Sequence, residues 1–433
     1  MTRRKSLALM AGPAAAQVLP DRGPDAGGGR FLREWWYVPG IENGNPVSNG
    51  RFRVNAPEVM LHPAFSIRTE AKSSGMLQIL VDEAPREIAG AELYLELWGG
   101  HPGTANKRVT PNGRTTYYLP EVGAPAGRCT HHYPVVKLKP SDLVPGYNAF
   151  QFAVDQGSTF WGEFIVDEAC VRCELPSQHP AIAKSGLSAF SARLESARST
   201  AGEAFDLALL PQGLPASAIS RVEIRGFYEG YDENGNTQTR DWHGFTTKRK
   251  PVAYVGSAEA APFRVRWDTS MLPEQREMAV KAIVYFREHP GIVYETRALG
   301  GLLTPSRGTS RVSHYGMSTR PAPFWSRANN KRVATITLDA APDLIEKAEL
   351  HVVVWDGGRG NVKDYFTLNG QQFDVARDAR HNTIYSVLSV PPALLRKGLN
   401  EIVLLSDTEH HGIEVLEPGP ALVLRGPLPL PPR

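Results

Sequence analysis

Ile79-Leu-Val-Asp82-Glu-Ala-Pro85-Arg-Glu-Ile88-Ala-Gly-Ala91-Glu-Leu93 returns 257 residues later as Ile336-Thr-Leu-Asp339-Ala-Ala-Pro342-Asp-Leu-Ile345-Glu-Lys-Ala348-Glu-Leu350. The register holds without a gap through Trp98/Trp355, Gly100/Gly357, Gly103/Gly360, Thr110/Thr367 and Asn112-Gly113/Asn369-Gly370, giving 14 identities in 35 positions. Such self-similarity marks a duplicated structural unit. Two copies therefore bracket something unlike them.

Inside the repeat, Leu93, Leu95 and Leu97 alternate with polar or amphipathic neighbours at the period of a strand. Further strand-like runs are Tyr133–Lys139, Ala149–Val154 and Phe160–Val166 in the first copy, and Ala348–Trp355, Thr383–Leu388 and Glu401–Leu405 in the second. Asn112-Gly113 and Asn369-Gly370 favour the positive φ angles of tight turns. The later halves also correspond. Leu143-Val-Pro-Gly146-Tyr-Asn148 and Leu395-Arg-Lys-Gly398-Leu-Asn400 both end in Gly-x-Asn before an apolar strand. Short strands at this spacing, with 40 glycines and 35 prolines in 433 residues, predict an antiparallel sandwich.

The order Ala-Glu-Leu … Trp … Leu-Asn-Gly … Leu-Leu-x-x-Gly-x-Asn-x-Ile in the second copy resembles the galactose-binding-like jelly roll. That resemblance implies a carbohydrate-binding module or an accessory domain of a secreted glycosidase. Between the copies, Arg221–Tyr228, Pro262-Phe-x-Val-x-Trp267 and the alternating Ala279–Tyr285 resemble bacterial immunoglobulin-like modules, which act as spacers. Residues 187–197 have a spacing that suits a helix or edge strands, and the strand reading fits the β-like runs C-terminal to them. The expectation is an all-β chain. An export signal and flexible leader occupy 1–30 and a jelly roll 31–176. An immunoglobulin-like sandwich covers 177–305, a linker with the second jelly roll 306–425, and a proline-rich tail 426–433.

Thr2-Arg3-Arg4-Lys5, with the apolar residues after it, resembles a twin-arginine export signal, so a secreted, periplasmic or cell-surface location is expected. A net charge of +3 is too small to argue for nucleic acid, and no apolar run is long enough to insert in a membrane. Phosphate-loop, nucleophile-elbow, zincin-helix and dinucleotide fingerprints are all missing.

Residues with functional chemistry fall in four places. Near the end of the second copy, His410, His411 and Glu414 could supply an acid/base pair, and Trp161 at the matching place in the first copy could stack on a sugar. Cys129, His131, His132, Cys170 and Cys173 are of types that bind zinc, but their separations match no closed zinc site; a disulfide from Cys129 or free thiols are the other readings. Asp232, Asn234 and Asn236 alternate oxygen side chains that could take structural calcium, though the EF-hand spacing fails and a hairpin tip explains the same letters. Asp241, Trp242 and His243, just beyond them, are sugar-contact candidates. His314 and Tyr315, with Arg311, Arg320 and Trp325, contain the types a polysaccharide lyase needs. The reading favours non-catalytic recognition of a polysaccharide or other glycan. A lyase or glycosidase with a site between modules, and a purely architectural surface protein, are the alternatives.

Overall fold

The structure is a computed structural model. It describes residues 29–37, 41–42, 45–46, 52–54, 76–100, 103–121, 129–155, 164–198, 202–235, 237–328, 330–376, 381–409 and 411–429. The export-signal reading and the end of the tail, like Trp161, Asn236 and His410, lie outside these residues. The chain is all-β, built of curled antiparallel sheets packed as sandwiches.

The duplication is visible strand for strand. In the first copy a four-stranded sheet runs in the order Met76–Val81, Gly146–Ala153, Arg108–Pro111, Tyr117–Tyr118; in the second it runs Arg332–Leu338, Gly398–Leu404, Phe366–Leu368, Gln371–Gln372. Both copies place a 3-10 turn at the same offset, Pro85–Glu87 and Pro342–Leu344, and a second one ahead of the Gly-x-Asn turn, Pro140–Asp142 and Pro392–Leu394. Opposite the four-stranded sheet, Gly90–Trp98 and Lys347–Asp356 form the spine of a larger sheet. Leu93, Leu95 and Leu97 point into the core, as their alternation predicts, and so do Leu350, Val352 and Val354.

Each copy is closed by the same pair of asparagines. Asn112 and Asn369 adopt φ of 50°, ahead of glycines that are also left-handed. The Asn112 amide donates to the Asp142 carbonyl at 2.8 Å and to Asn148 Oδ1 at 2.8 Å. Asn369 donates to the Leu394 carbonyl at 2.9 Å and to Asn400 Oδ1 at 2.8 Å. Returning bonds run from Ala149 N–H to Asn112 Oδ1 and from Glu401 N–H to Asn369 Oδ1. The letters shared between copies are thus turn-locking residues.

One equivalence escapes the sequence. Arg30–Trp36 pairs with Phe164–Leu175, and Arg311–Tyr315 pairs with Ala421–Gly426, in matching registers. Trp35 Nε1–H donates to Asp82 Oδ1 at 2.7 Å, and Tyr315 O–H donates to Asp339 Oδ1 at 2.6 Å. Asp82 and Asp339 are repeat mates. The residues read as a linker cluster thus form a strand of the second copy's larger sheet.

The first copy and the intervening segment share one sheet. Arg30–Trp36 lies between Phe164–Leu175 and Ile292–Glu295, so the sheet continues through Met278–Phe286 and Ile219–Tyr231 to Gln238–His243. Their cores also merge. Phe31 meets Tyr294 edge-on at 5.0 Å, and Phe190 meets Phe286 at 4.9 Å and Tyr294 at 5.1 Å. A three-stranded layer, Ser191–Arg198, Ala204–Gln212 and Arg264–Asp268, covers the intervening part, with Trp267 buried under it. Residues 187–197, open between helix and strand in the sequence, are a strand from Ser191 onward; the one α-helix among the described residues is the short Pro180–Lys184.

Candidate functional site

Three regions gather chemistry, and they differ in openness. The first is the seam where the second copy docks on the rest. Its larger sheet turns one face to its own core and the other toward the hairpin 231–247 and the loop 129–133. Tyr231 stacks on Tyr385 at 5.7 Å, and its hydroxyl donates to the Gly419 carbonyl at 2.9 Å. Thr247 donates to the Thr383 carbonyl, and Glu417 N–H to the Cys129 carbonyl.

Inside this seam lies a buried ion pair. His243 Nδ1 meets Glu233 Oε2 at 3.1 Å, while Tyr133 O–H donates to Glu233 Oε1 at 2.6 Å. The His243 ring stacks on Tyr228 at 4.0 Å, and its Nε2–H donates to the Tyr228 carbonyl at 3.0 Å. Burial alone would push His243 down, but the Glu233 carboxylate outweighs it and raises His243 to about 9. Glu233 is correspondingly held below the usual carboxylate range, with His243 as the largest cause opposing burial. His243 is therefore a buried structural cation; its strand alternation turns it away from Trp242, which stays half-exposed on the other face.

Glu414 is the second buried group in the seam. Burial pushes its carboxyl up to about 7, with the Glu417 charge adding to the shift and a hydrogen bond from the Cys129 thiol opposing it. Its Oε1 has no hydrogen-bond partner. A raised folded-state pKa means the contribution is complete below the ordinary carboxylate range and is lost as pH rises toward 7. Stability should therefore fall by about 3 kcal/mol from this group between pH 4.5 and 7. Glu414→Gln should flatten that part of a urea-denaturation pH profile; an unchanged slope would show that Glu414 does not set it.

The remaining sequence candidates are dispersed. His314 is half-buried and held down at about 3, chiefly by desolvation, so it stays neutral, and its neighbour Tyr315 is tied to Asp339. His411 lies on the surface with Nδ1 at 2.8 Å from His381 Nε2, while its carbonyl accepts from Trp325. Asp232 closes the hairpin tip: Oδ1 accepts from Asn234 N–H at 3.1 Å and Oδ2 from the Thr239 hydroxyl at 3.1 Å. Asp241 accepts from Trp242 N–H at 2.7 Å. Cys129, Cys170 and Cys173 are free, buried thiols, each pushed up by burial, so no disulfide forms among them.

Among the described residues, one trio of metal-binding types converges: Glu83, Glu87 and His179. His179 Nδ1 accepts from Ala181 N–H at 3.2 Å as the cap of the short helix, which leaves the proton of a neutral ring on Nε2. Nε2 faces Glu83 and Glu87 at 3.5 and 3.8 Å, and Glu83 also takes Arg33. The His179 ring thus caps the helix and Glu83 pairs with Arg33, while His179 Nε2 itself makes no hydrogen bond among the described residues.

The second region is open. On the outer face of the first copy's four-stranded sheet, Tyr147 is 68% exposed and Tyr118 is 40% exposed. Tyr147 lies across from Leu80, Ala149 from Gln78, and Gln151 from both Met76 and Thr110. Ala153 lies across from Arg108, and Arg108 from Tyr118. Alternation puts all of these on one side. The six residue steps from Tyr147 to Ala153 separate the two rings by about 20 Å along the strand, with amide and hydroxyl groups between. In the second copy Leu399 stands where Tyr147 does, and Ser318 and Thr319 bond across Thr335 on that face. The third region is the polar face of the long shared sheet, where Trp36, Tyr94, Tyr285 and Trp242 alternate with charged side chains.

Among the described residues, no helix is long and apolar enough to cross a membrane. No protein-family model matches this chain, and no curated protein matches it. Among solved structures it is similar to BuGH86 in complex with neoagarooctaose, at 12% identity over 54% of this chain and 33% of that one, with a TM-score of 0.24. A β-porphyranase of glycoside hydrolase family 86 from the human gut bacterium Bacteroides plebeius matches at 13% identity over 54% of this chain and 36% of that one, with a TM-score of 0.23. A β-glucuronidase from an uncultured Clostridium matches at 9% identity over 72% of this chain and 50% of that one, with a TM-score of 0.17. The chain thus spans a third to a half of the solved structures it matches, at a likeness that leaves the assignment of function to its own residues.

Proposed function

We propose that this protein recognises a glycan without cleaving it, through the open sheet face of its first copy. The observation that carries the reading is the pair Tyr147 and Tyr118, presented on one side of a rigid sheet with Gln78, Gln151, Thr110 and Arg108 around them. An exposed ring on a strand supplies a flat apolar surface for a sugar ring, and amides and hydroxyls between two such rings can orient the hydroxyls of a chain lying across them. The seam supports a non-catalytic reading. Glu233 and His243 are enclosed and hold each other, and Glu414 is enclosed beside the Cys129 thiol, so these three groups are not offered to a substrate.

The test is a panel of soluble polysaccharides in affinity electrophoresis, with the reaction mixtures assayed for new reducing ends and for unsaturated uronates. Retardation without product is the expected result. Tyr147→Ala should weaken the retarding ligand at least ten-fold, about 1.4 kcal/mol, with an unchanged melting temperature. Product release would overturn the non-catalytic reading, and the absence of any retardation would overturn glycan recognition itself.

A further inference from the structure

Among the described residues, the polar face of the long sheet carries a charge that its surroundings do not answer. Arg172 meets Glu34 at 3.0 Å, Lys281 meets Glu295 at 3.2 Å, and Arg221 meets Glu223 at 2.8 Å. Tyr285 O–H donates to Glu223 at 3.1 Å. The carboxylates near the centre of this face are therefore engaged. Arg225, in the same rows, has no carboxylate or carbonyl partner among the described residues, and its Nε is buried with no acceptor. It sits directly across from Lys281 in the strand register. Like charges opposite one another on neighbouring strands are destabilising, and a buried donor without an acceptor costs about 1–3 kcal/mol.

Aromatic rings surround this unanswered charge. Lys281 Nζ lies 4.4 Å from the centre of the Trp242 ring, and Arg225 is close enough to Tyr94 and Tyr285 for its charge to act on both phenols. Trp36 meets Tyr94 edge-on at 5.9 Å. Trp242 and Arg225 are half-exposed, so the group opens to solvent. A guanidinium presents paired N–H donors that fit a planar or tetrahedral oxyanion, and rings beside it suit the sugar that carries the anion.

We infer that Arg225 anchors a binding site for an oxyanion borne on a sugar, either a uronate carboxylate or a sulfate ester. The site rests on the reading that the ligand is a glycan, but it lies on a different sheet face from Tyr147 and is tested separately. The anion supplies the acceptor that Arg225 lacks and relieves its repulsion with Lys281. A neutral sugar does neither.

Tryptophan fluorescence and melting temperature of the full chain are followed in titrations with sodium sulfate, sodium glucuronate, and three oligosaccharides of equal length: a uronate, a sulfated and a neutral one. The site predicts that at least one simple anion perturbs the fluorescence and that its matching oligosaccharide binds at least ten-fold tighter than the neutral one. Arg225→Met should abolish that preference and Arg225→Lys should retain part of it, while Tyr147→Ala leaves the response to the simple anion intact. A response to sulfate alone identifies the ester, and to glucuronate alone the uronate. If neither simple anion registers, or if Arg225→Met keeps the preference for charge, the site is wrong. Failure of all three oligosaccharides while a simple anion still binds through Arg225 would overturn the glycan reading and leave the anion site standing.

Discussion

Glu233→Ala should cost this fold about 3–5 kcal/mol, the range for removing one partner of a buried ion pair. The residue holds three groups at once: His243, the Tyr133 hydroxyl and Gly244 N–H. Its loss leaves the His243 ring enclosed against Tyr228 without its main counter-charge, and two donors without an acceptor. The cost should depend on pH. Because His243 is raised to about 9 from an ordinary value near 6.5, its contribution is complete below pH 6.5 and is lost as pH rises through 9. The gap between the wild-type protein and Glu233→Ala in urea denaturation should therefore narrow from pH 6 to pH 10. Glu233→Gln, which can still accept from Tyr133 and Gly244, should cost less. A difference below 1 kcal/mol at pH 6 would remove the pair from any account of how the seam is held.

The second large effect should appear twice. Asn148 is fully buried and uses its whole amide: Oδ1 accepts from Asn112 and from Val144 N–H at 2.8 Å, and Nδ2 donates to the Val144 and Gly146 carbonyls at 2.8 and 2.9 Å. Asn400 repeats the arrangement with Asn369, Arg396 N–H, and the Arg396 and Gly398 carbonyls. Alanine at either position strands several buried polar groups, and about 3 kcal/mol is expected from each. The sites are far apart with no shared partner, so the double variant should show the sum. A cost at Asn148 with none at Asn400 would mean that the two copies do not close in the same way.

Much of this architecture could be read from the letters, and the reason is physical. The residues shared across the 257-residue offset are those whose conformation leaves no substitute: asparagine and glycine at positive φ, the proline opening a 3-10 turn, and core side chains on the spine strand. Where a role can be filled by different chemistry, the signal fades. Trp35 and Tyr315 make the same bond to repeat-mate aspartates, but they share no letter and sit at a different offset. That is why Arg311–Tyr315 looks like a linker in the sequence. The fusion of the first copy with the intervening segment is set by which edge Arg30–Trp36 finds, and no local pattern encodes that choice.

The candidate sites are less legible. Trp242 and His243 read as one contact set because they are adjacent; alternation sends one outward and the other into an ion pair. The spine strand reads as half-exposed, yet Tyr94 and Glu96 are buried on its second face, where Glu96 accepts from Lys248 N–H at 2.6 Å and from Arg249 N–H at 3.2 Å. Tyr147 passes as the residue between Gly146 and Asn148, the two that lock the turn. Its signal lies in the difference between copies, a tyrosine on the open face where the second copy has Leu399.

The most direct test of glycan recognition is side-chain-resolved. Hydroxyl-radical footprinting of the protein, free and saturated with the polysaccharide that retards it, reports the solvent access of each ring. Tyr147 and Tyr118 should lose most of their oxidation in the complex, while Leu399, on the equivalent face of the second copy, oxidises as before. Unchanged oxidation of both tyrosines at saturation would contradict the account.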